Sequence, residues 1–253
     1  MEASRPFRAG PLVFGSGRPK ICIPLISPDL PSLLQEAQAL ASLPHDFVEW
    51  RVDWFDEIFD FEKVQEVLGK LREVLGDRPI LFTCRTANEG GQISLTKEQY
   101  ICLNQCAIES RHADLVDVEV FGYQEAVKEL VTFAHKCDVK VVGSNHDFHA
   151  TPKKEEIIRR LIFMQELGAD IPKIAVMPQN KQDVLTLLSA TEEMVREHDL
   201  APVVTMSMGP QGVISRIAGK VFGSAMTFGT VGKASAPGQL DVADLRMAMK
   251  ILR

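Results

Sequence analysis

The sequence is informative first through what it lacks. The 253-residue chain has no run of about eighteen apolar residues, so no transmembrane helix and no membrane partner are expected. It has no block of basic residues, and its net charge of −6 argues against nucleic acid as a partner. Its five cysteines are odd in number, and the closest pair, Cys102 and Cys106, has the spacing of a helix face. We therefore predict reduced thiols in a cytoplasmic protein.

The pattern of a signal peptide and that of an interdomain linker are also missing. Arg5 and Arg8 are not followed by the apolar segment that a signal peptide requires. No shift in composition divides the chain, and its 45% hydrophobic and 25% charged residues are typical of a globular protein with a sizeable core. We predict one domain that spans residues 1–253.

What the sequence contains instead is a regular alternation of short apolar runs and amphipathic segments. Eight apolar runs begin near residues 21, 47, 80, 115, 141, 171, 203 and 225. The segments between them have helical periodicity, as in the stripe formed by Val64, Val67, Leu68, Leu71 and Leu75. Helix starts are indicated by Ser27-Pro28-Asp29, Thr96 with Gln99, Thr151-Pro152, Asn180 and Asp241.

Eight strand–helix units predict an α/β fold, a (β/α)8 TIM barrel in which parallel strands are enclosed by helices. The first 19 residues, rich in Gly, Pro and Arg, are predicted to form a short N-terminal hairpin that closes one end of the barrel. A doubly wound open sheet is the competing architecture. In a barrel, the active site is expected at the carboxyl ends of the strands.

Several predicted strands have charged residues on the face that must point into the barrel. In the segment 48–54, Glu49, Arg51 and Asp53 share one face at a period of two, and apolar side chains share the other. Helices cover the outside of such a barrel, so the charged face lies inside it, where unpaired ions are costly. The residues expected in an internal ion network are Asp53, Asp117 and Glu119. Those expected to line a polar cavity for an anionic ligand are Glu49, Arg51 and Arg85.

Two residues of the predicted strands are candidates for chemistry. The stretch 140–149 begins as a buried strand and places His146 at its carboxyl-terminal tip. Lys173 lies in the next predicted strand, where it alternates inward with Ala175 and Met177. It is either a surface lysine at the entry of the strand or an amine that reaches the cavity. In the cavity, burial and neighbouring cations such as Arg51 and Arg85 would favour the uncharged amine, which attacks carbonyl groups and forms Schiff bases.

Two loops complete the candidate site. Glu89 precedes two glycines and is either a surface acid or the carboxylate that orients one ring nitrogen of His146. The loop 229–240 is glycine-rich and long for its place in a barrel, and we predict that it acts as a lid. The residues that could hold a carboxylate or a phosphate beneath it are Arg216, Ser235 and Gln239.

Taken together, five motifs resemble those of the type I 3-dehydroquinase family. The motifs are Glu49-Trp-Arg51-Val-Asp53, Thr83-Cys-Arg85-Thr-Ala-Asn-Glu89-Gly-Gly91, Ser144-Asn-His146-Asp-Phe-His149, Ala169-Asp-Ile-Pro-Lys173-Ile-Ala and Ser235-Ala-Pro-Gly-Gln239. Their order and spacing run through nearly the whole chain, over residues 21–253. The resemblance implies a (β/α)8 barrel that forms a homodimer. It also implies conversion of 3-dehydroquinate to 3-dehydroshikimate in the shikimate pathway, without a metal or cofactor.

The resemblance further implies a role for each candidate residue. Lys173 matches the Schiff-base lysine of the family, His146 its general acid/base, and Glu89 the acid that orients the histidine. The residues that match the binding of substrate hydroxyls are Glu49, Arg51 and Arg85. The residues that match the binding of the substrate carboxylate are Arg216, Ser235 and Gln239.

Three other functions stay open from the residues alone. A Schiff-base aldolase would use a lysine of the same strand and would favour a phosphorylated substrate. A non-catalytic binding barrel would form no adduct with a carbonyl compound. A metal-dependent lyase or isomerase would need oxygen and nitrogen ligands, for which the candidates are Glu49, Asp53, Asp117, Glu119 and His146.

Overall fold

The computed structural model of the chain describes residues 6–232 and 234–252. It begins with an antiparallel hairpin of strands β1 (Phe7–Ala9) and β2 (Leu12–Phe14). Gly10 lies in the turn with a φ of +54°, a conformation that favours glycine. Phe14 is fully buried, and its ring centroid lies 5.3 Å from that of Phe47, the first residue of a barrel strand. The hairpin therefore closes one end of the barrel, as the sequence predicted.

Within the described residues, eight parallel strands form the barrel. They are β3 (Lys20–Leu25), β4 (Phe47–Arg51), β5 (Ile80–Thr83), β6 (Leu115–Glu119), β7 (Lys140–Asp147), β8 (Ile171–Val176), β9 (Val204–Ser207) and β10 (Met226–Thr230). They pair in parallel in chain order, with β10 beside β3. Between β9 and β10 the backbone N–H of Ala225 donates to the carbonyl of Val203 at 2.8 Å. The predicted barrel is confirmed, and the open doubly wound sheet is wrong.

Helices cover the outside of the strands. They are α1 (Leu30–Ala39), α2 (Phe61–Leu75), α3 (Lys97–Ser110), α4 (Gln124–Lys136), α5 (Lys154–Glu166), α6 (Lys181–Glu197), α7 (Val213–Ile217), α8 (Gly219–Phe222) and α9 (Val242–Ile251), with a short strand β11 (Leu240–Asp241) pairing with β10 before α9. The whole predicted stripe of α2 is buried, and Asp29, Thr96, Asn180 and Asp241 cap their helices as predicted. None of the helices in the described part of the chain has the length and apolar character needed to cross a membrane.

One predicted helix start is wrong. Helix α5 begins at Lys154 with Lys153 as its N-cap residue, so Thr151 is not the cap and Pro152 is not in the first turn. The hydroxyl of Thr151 donates to the carbonyl of Met177 at 3.1 Å, which ties this loop to the one after β8. A threonine can satisfy a distant backbone carbonyl as well as a helix end, and the sequence does not distinguish the two.

The charged strands are shorter than the sequence indicated. Strand β4 ends at Arg51, and residues 52–54 form a short 3₁₀ turn, so the predicted strand over 48–54 is too long. The turn brings Asp53 back toward the guanidinium of Arg51, and both of its oxygens accept hydrogen bonds of 2.8 Å. Apolar side chains such as Leu81 and Leu115 fill the interior of the barrel near the hairpin. The charges therefore gather at the carboxyl-terminal end of the barrel, away from the hairpin.

Candidate active site

One cavity at the carboxyl end of the barrel brings together every residue for which the sequence suggested a catalytic or substrate-binding role. Those residues are Glu49, Arg51, Arg85, Glu89, His146, Lys173, Arg216, Ser235 and Gln239. Apolar lining is added by Phe148, Ala175, Met206, Met208 and Phe228, of which the sequence had indicated only Ala175 as facing inward. A wider groove near Arg18 and Lys220 lies at the opposite end, among the segments that precede the strands. Active sites of such barrels lie at the carboxyl end, so the first cavity is the candidate active site.

Lys173 lies on β8 with only 3% of its surface exposed. Its Nζ donates a hydrogen bond of 3.1 Å to Oδ2 of Asp117 and lies 4.8 Å from the ring centroid of Phe228. The interpretation of this residue as a surface lysine is therefore wrong. The sequence suggested that its charged neighbours would be Arg51 and Arg85, whereas the direct partner of the amine is a carboxylate.

Asp117, on β6, connects Lys173 to the other charges of the barrel. Its carboxylate lies 2.7 Å from Nη2 of Arg85 and accepts a 2.5 Å hydrogen bond from the hydroxyl of Ser144. Burial by itself raises the pKa of Asp117, but Arg85, Lys173 and Ser144 together lower that pKa to about 2. The group therefore stays ionised near neutral pH. It can stabilise a positive charge at residue 173 but is too weak a base to keep a proton.

His146 and Glu89 form a hydrogen-bonded pair at the tips of their segments. Nδ1 of His146 lies 2.8 Å from Oε2 of Glu89, and the backbone N–H of the same histidine donates to that oxygen at 3.0 Å. Glu89 is only 6% exposed, so its interpretation as a surface acid is wrong. When Nδ1 carries the ring proton and donates a hydrogen bond to Glu89, Nε2 of the neutral imidazole has no proton and can act as a base.

Burial sets the protonation of this pair. It lowers the pKa of His146 well below its usual value, an effect strengthened by Arg85, Lys173 and Arg51. It also raises the pKa of Glu89, while Arg85 and the hydrogen bond from Asn145 oppose the shift and favour the carboxylate that accepts from Nδ1. Both shifts disfavour an imidazolium at residue 146. His146 therefore meets a ligand as a neutral imidazole.

The remaining charged side chains near the barrel axis are held by hydrogen bonds, most of them to a side chain of opposite charge. Oε1 of Glu119 accepts hydrogen bonds from Arg85 at 2.9 Å and from the backbone of Thr86 at 2.8 Å. Glu49 accepts a hydrogen bond of 2.8 Å from the hydroxyl of Thr83. Asp53, Asp117 and Glu119 thus form the internal ion network expected from the sequence. Asp53 accepts a hydrogen bond from Arg51, and Asp117 accepts one from Lys173.

Arg216 is the exception to this pairing. It lies in α7 and is 2% exposed, yet it has no carboxylate partner among the residues that the structure describes. One Nη donates to the carbonyl of Pro237 at 2.8 Å, the other lies 3.8 Å from the sulfur of Met206, and Nε has no partner in the described structure. Burial lowers the pKa of this guanidinium to about 10. A buried cation that lines a cavity in this state is suited by its chemistry to bind an anion, and that role stays a prediction for Arg216.

The predicted lid lies against the turn that follows β9. The side-chain amide of Gln239 donates to the hydroxyl of Ser235 at 3.0 Å, and its oxygen accepts from the backbone N–H of Ser235 at 2.9 Å. Gly238 has a φ of +76°, and a Cβ there would lie 2.5 Å from the carbonyl oxygen of Gly209. Lys233 of this loop lies outside the described residues. Opening of the loop stays a prediction.

The sequence analysis did not identify Ser144 and Asn145, whose side chains hydrogen-bond to carboxylates of the site. Ser144 precedes His146 by two positions on β7, so strand alternation turns both toward the interior, and this signal was present in the sequence. Asn145 faces the opposite way, yet its Nδ2 donates to Oε1 of Glu89 at 3.2 Å. No periodicity predicts that contact, because it joins a strand to a loop 56 residues away in sequence.

The residues present do not fit the metal-dependent alternative. No group of three or more His, Cys, Asp or Glu in the described ranges is arranged as a set of metal ligands. The carboxylates proposed for that role, among them Asp53 and Glu119, accept hydrogen bonds from arginine guanidinium groups instead.

The closed barrel and the cavity with a buried lysine and a histidine–glutamate pair define a (β/α)8-barrel enzyme. Comparison with known proteins gives the family. The chain belongs to the type I 3-dehydroquinase family, whose sequence model matches residues 21–253. The resemblance found in the five motifs is thereby confirmed.

Individual relatives agree with this assignment. The 3-dehydroquinate dehydratase of Salmonella agona (strain SL483) is 54% identical over 241 residues, which cover 95% of this chain and 96% of the relative. The type I 3-dehydroquinate dehydratase of Clostridium difficile, solved with covalently modified comenic acid, has a TM-score of 0.95 and 47% identity over 98% of each chain. The 3-dehydroquinate dehydratase of Geobacillus kaustophilus HTA426 has a TM-score of 0.95 and 39% identity over 99% of this chain and 97% of its own.

Proposed function

We propose that this protein dehydrates 3-dehydroquinate to 3-dehydroshikimate through a Schiff base on Lys173, with His146 as general acid and base. One observation carries the proposal: a buried amine and a neutral imidazole, the latter held by Glu89, line the same cavity. The names of the relatives support the substrate. The covalently modified ligand in the Clostridium difficile relative supports a covalent step.

In the first stage, Lys173 attacks the C3 ketone of the substrate. The amine first gives a proton to the neutral imidazole of His146, because Asp117, with a pKa of about 2, cannot keep it, and the imidazole returns that proton to the hydroxyl that leaves as water. Condensation releases one water and leaves a protonated imine, which is positively charged like the original ammonium. Asp117, 3.1 Å from the lysine nitrogen in the free enzyme, therefore has a cationic partner before and after the step.

In the second stage, His146 moves the protons. Its free Nε2 removes a proton from C2, which the neighbouring iminium has made acidic, and an enamine forms. The enamine expels the C1 hydroxyl, which takes the proton from His146 and leaves as water. Hydrolysis of the new iminium consumes one water and releases the product and the lysine. The sum of the steps is the loss of one water.

The rest of the cavity fits the polar groups of this substrate. We assign its hydroxyls to Glu49, Arg51 and Arg85, which lie beside Lys173 in the lining. We assign its carboxylate to Arg216, with Ser235 and Gln239 on the loop that covers it. The anion would supply the partner that this buried guanidinium lacks.

Borohydride reduction tests the covalent step. Incubation with 3-dehydroquinate followed by borohydride should add the mass of a reduced ligand to the peptide that contains Lys173. The Lys173→Ala variant should trap nothing, and trapping that persists at another lysine would refute the assignment. Lys140 offers a matched control, because it is a half-buried lysine at the start of β7 outside the cavity.

A second variant separates the role of His146 from that of Lys173. His146→Ala should still form the reducible imine but should lose most turnover, since proton transfer by a positioned side chain contributes about 10² to 10⁴ in rate. Near-normal turnover of this variant would remove the histidine from the acid and base role. A requirement for a phosphorylated substrate would favour the aldolase instead.

The family resemblance leads to two further proposals, a homodimer and a cytoplasmic location. Sedimentation equilibrium of the purified chain tests the first, for which twice the chain mass of 28.1 kDa is expected. Fractionation of the source cells tests the second. A monomer at working concentration would contradict the dimer without affecting the proposed reaction.

A further inference from the structure

A polar side chain on the helix-facing side of β7 has no part in the mechanism above. Asn145 lies between Ser144 and His146, and strand alternation directs it away from the cavity toward α5. Its partner in the β7–β8 pairing, Ile174, belongs to the apolar core between strands and helices. Asn145 is only 8% exposed. An amide buried on such a face is costly unless both of its ends are hydrogen-bonded.

Both ends of this amide are bonded, and the two partners have opposite charge. Nδ2 of Asn145 donates to Oε1 of Glu89 at 3.2 Å, while Oδ1 accepts from Nη1 of Arg160 on α5 at 3.0 Å. Arg160 is itself fixed from two sides. Its Nε donates to Glu156 at 2.7 Å, and its guanidinium lies 5.7 Å from the ring centroid of Phe121. A continuous chain of hydrogen bonds thus runs from the outer helix to the partner of His146.

We propose that Arg160 and Asn145 are positioning residues for the Glu89–His146 pair. An amide has nearly the same shape in its two flipped orientations, and only one presents N–H groups to Glu89. Because Arg160 can only donate, it selects the orientation in which the oxygen of Asn145 faces α5. Glu89 is thereby oriented, and with it Nδ1 of His146. This inference rests on the proposed function, since it assumes that the imidazole transfers protons.

We call the chain of hydrogen bonds from Arg160 through Asn145 to Glu89 the relay. The relay also affects how readily the Glu89–His146 pair binds a proton. The N–H that Asn145 donates favours the ionised form of Glu89, and Arg160 holds that N–H in place, so removal of either residue makes the pair take up a proton at higher pH. The base form of His146 is then lost sooner on acidification, and the acidic limb of the pH profile moves upward. The other charged groups that face the pair remain in place in the variants below, and they are Arg51, Arg85, Asp117, Glu119 and Lys173.

The experiment measures kcat and KM over a range of pH for Arg160→Ala, Asn145→Ala and the double variant. In each, kcat should fall about tenfold, a fraction of what general acid and base catalysis supplies. KM should stay within about twofold, because neither residue lines the cavity. The acidic limb should move up by about half a pH unit. The double variant should resemble Asn145→Ala, since the two residues act in series.

Arg159→Ala is the matched control. This neighbour on α5 donates to the same Glu156 at 2.7 and 2.8 Å, but its side chain is 62% exposed and it does not reach Asn145. Its loss removes an arginine and an ion pair from the same helix turn while leaving the relay intact. We expect a normal kcat and a normal pH profile. Arg160→Lys keeps a charged donor and should recover part of the lost kcat.

The outcomes separate this inference from the proposed function. A normal pH profile and kcat in Arg160→Ala, with borohydride trapping intact, would overturn the relay and leave the dehydratase mechanism standing. A further shift on adding Arg160→Ala to Asn145→Ala would show that the arginine acts through its charge alone, which also overturns the relay. Failure of the unmodified protein to trap any ligand would instead defeat the proposed function.

Discussion

Replacing Arg216 with methionine should make the protein more stable and less active. The pKa of this guanidinium falls from 12.5 to about 10 through burial, which corresponds to a cost of about 3 kcal/mol for charging it in the folded state. Because the folded pKa is the lower one, this cost applies fully at pH 7. Methionine removes it and forfeits the hydrogen bond to Pro237, a loss of about 1 kcal/mol. The free energy of unfolding should therefore rise by about 1 to 2 kcal/mol.

The same change should weaken the enzyme toward its substrate. In the proposed function, Arg216 is the partner of the substrate carboxylate. A hydrogen bond between charged groups contributes about 1.5 to 3 kcal/mol, so kcat/KM should fall by about tenfold to a hundredfold. Stability and activity would then move in opposite directions at a single position, as expected where a binding site holds an uncompensated charge.

Two measurements check this prediction, urea unfolding at pH 7 and steady-state kinetics with 3-dehydroquinate. Arg51→Met is the control, because that arginine is equally buried but is paired with Asp53. Loss of this arginine leaves the buried carboxylate of Asp53 without its partner and should lower the free energy of unfolding by about 3 to 5 kcal/mol. If Arg216→Met destabilises the protein as much as Arg51→Met does, or if kcat/KM is unchanged, the account of Arg216 as an anion site is refuted.

Three further predictions concern acid stability, backbone packing and metals. Burial lowers the pKa of His45 from 6.5 to about 4, so the unfolded state binds more protons in that range. As the pH falls from 6.5 to about 4, the free energy of unfolding should therefore decrease by about 2 kcal/mol. Urea titrations of His45→Phe over the same pH range should not show this decrease. Gly91→Ala places a Cβ 1.8 Å from the carbonyl oxygen of Arg85 and should cost more than about 3 kcal/mol, whereas Gly69→Ala in α2 should gain about 0.5 to 1 kcal/mol in the same assay. Excess EDTA should leave turnover unchanged, and a loss restored by added metal would revive the metal-dependent alternative.

The fold could be predicted from the sequence because its signal is repeated along the chain. Each apolar run alone is compatible with a strand or a short buried helix, but eight runs alternating with helical stripes favour a closed barrel. Caps such as Asn180 were also predictable, since the side chain bonds within its own turn. The cap predicted at Thr151 failed because its hydroxyl bonds to Met177, 26 residues away in sequence. Local patterns predict local bonds and say nothing of competing distant ones.

For the candidate site, the sequence predicted which residues face the cavity but not which of them contact one another. Strand alternation shows that Lys173 and Asp117 point inward, but it does not show that they lie 3.1 Å apart across the intervening β7. That contact depends on how far each side chain extends and on the tilt of the strands. The same reason hid the bonds from Arg160 through Asn145 to Glu89. Residue types and faces come from the sequence, whereas pairings among inward charges come from the structure.

The pairing of charges stabilises the site and, in the proposed function, also prepares it for the substrate. Within the described residues, Arg51, Arg85 and Lys173 each have a carboxylate partner, and Arg216 has none. In the proposed reaction the charge at residue 173 is positive as ammonium and as iminium, so the pairing with Asp117 is kept and little reorganisation is needed there. In the proposed function, the unpaired Arg216 meets the one permanent charge of 3-dehydroquinate, its carboxylate. Binding would then supply the counter-charge that this guanidinium lacks among the described residues.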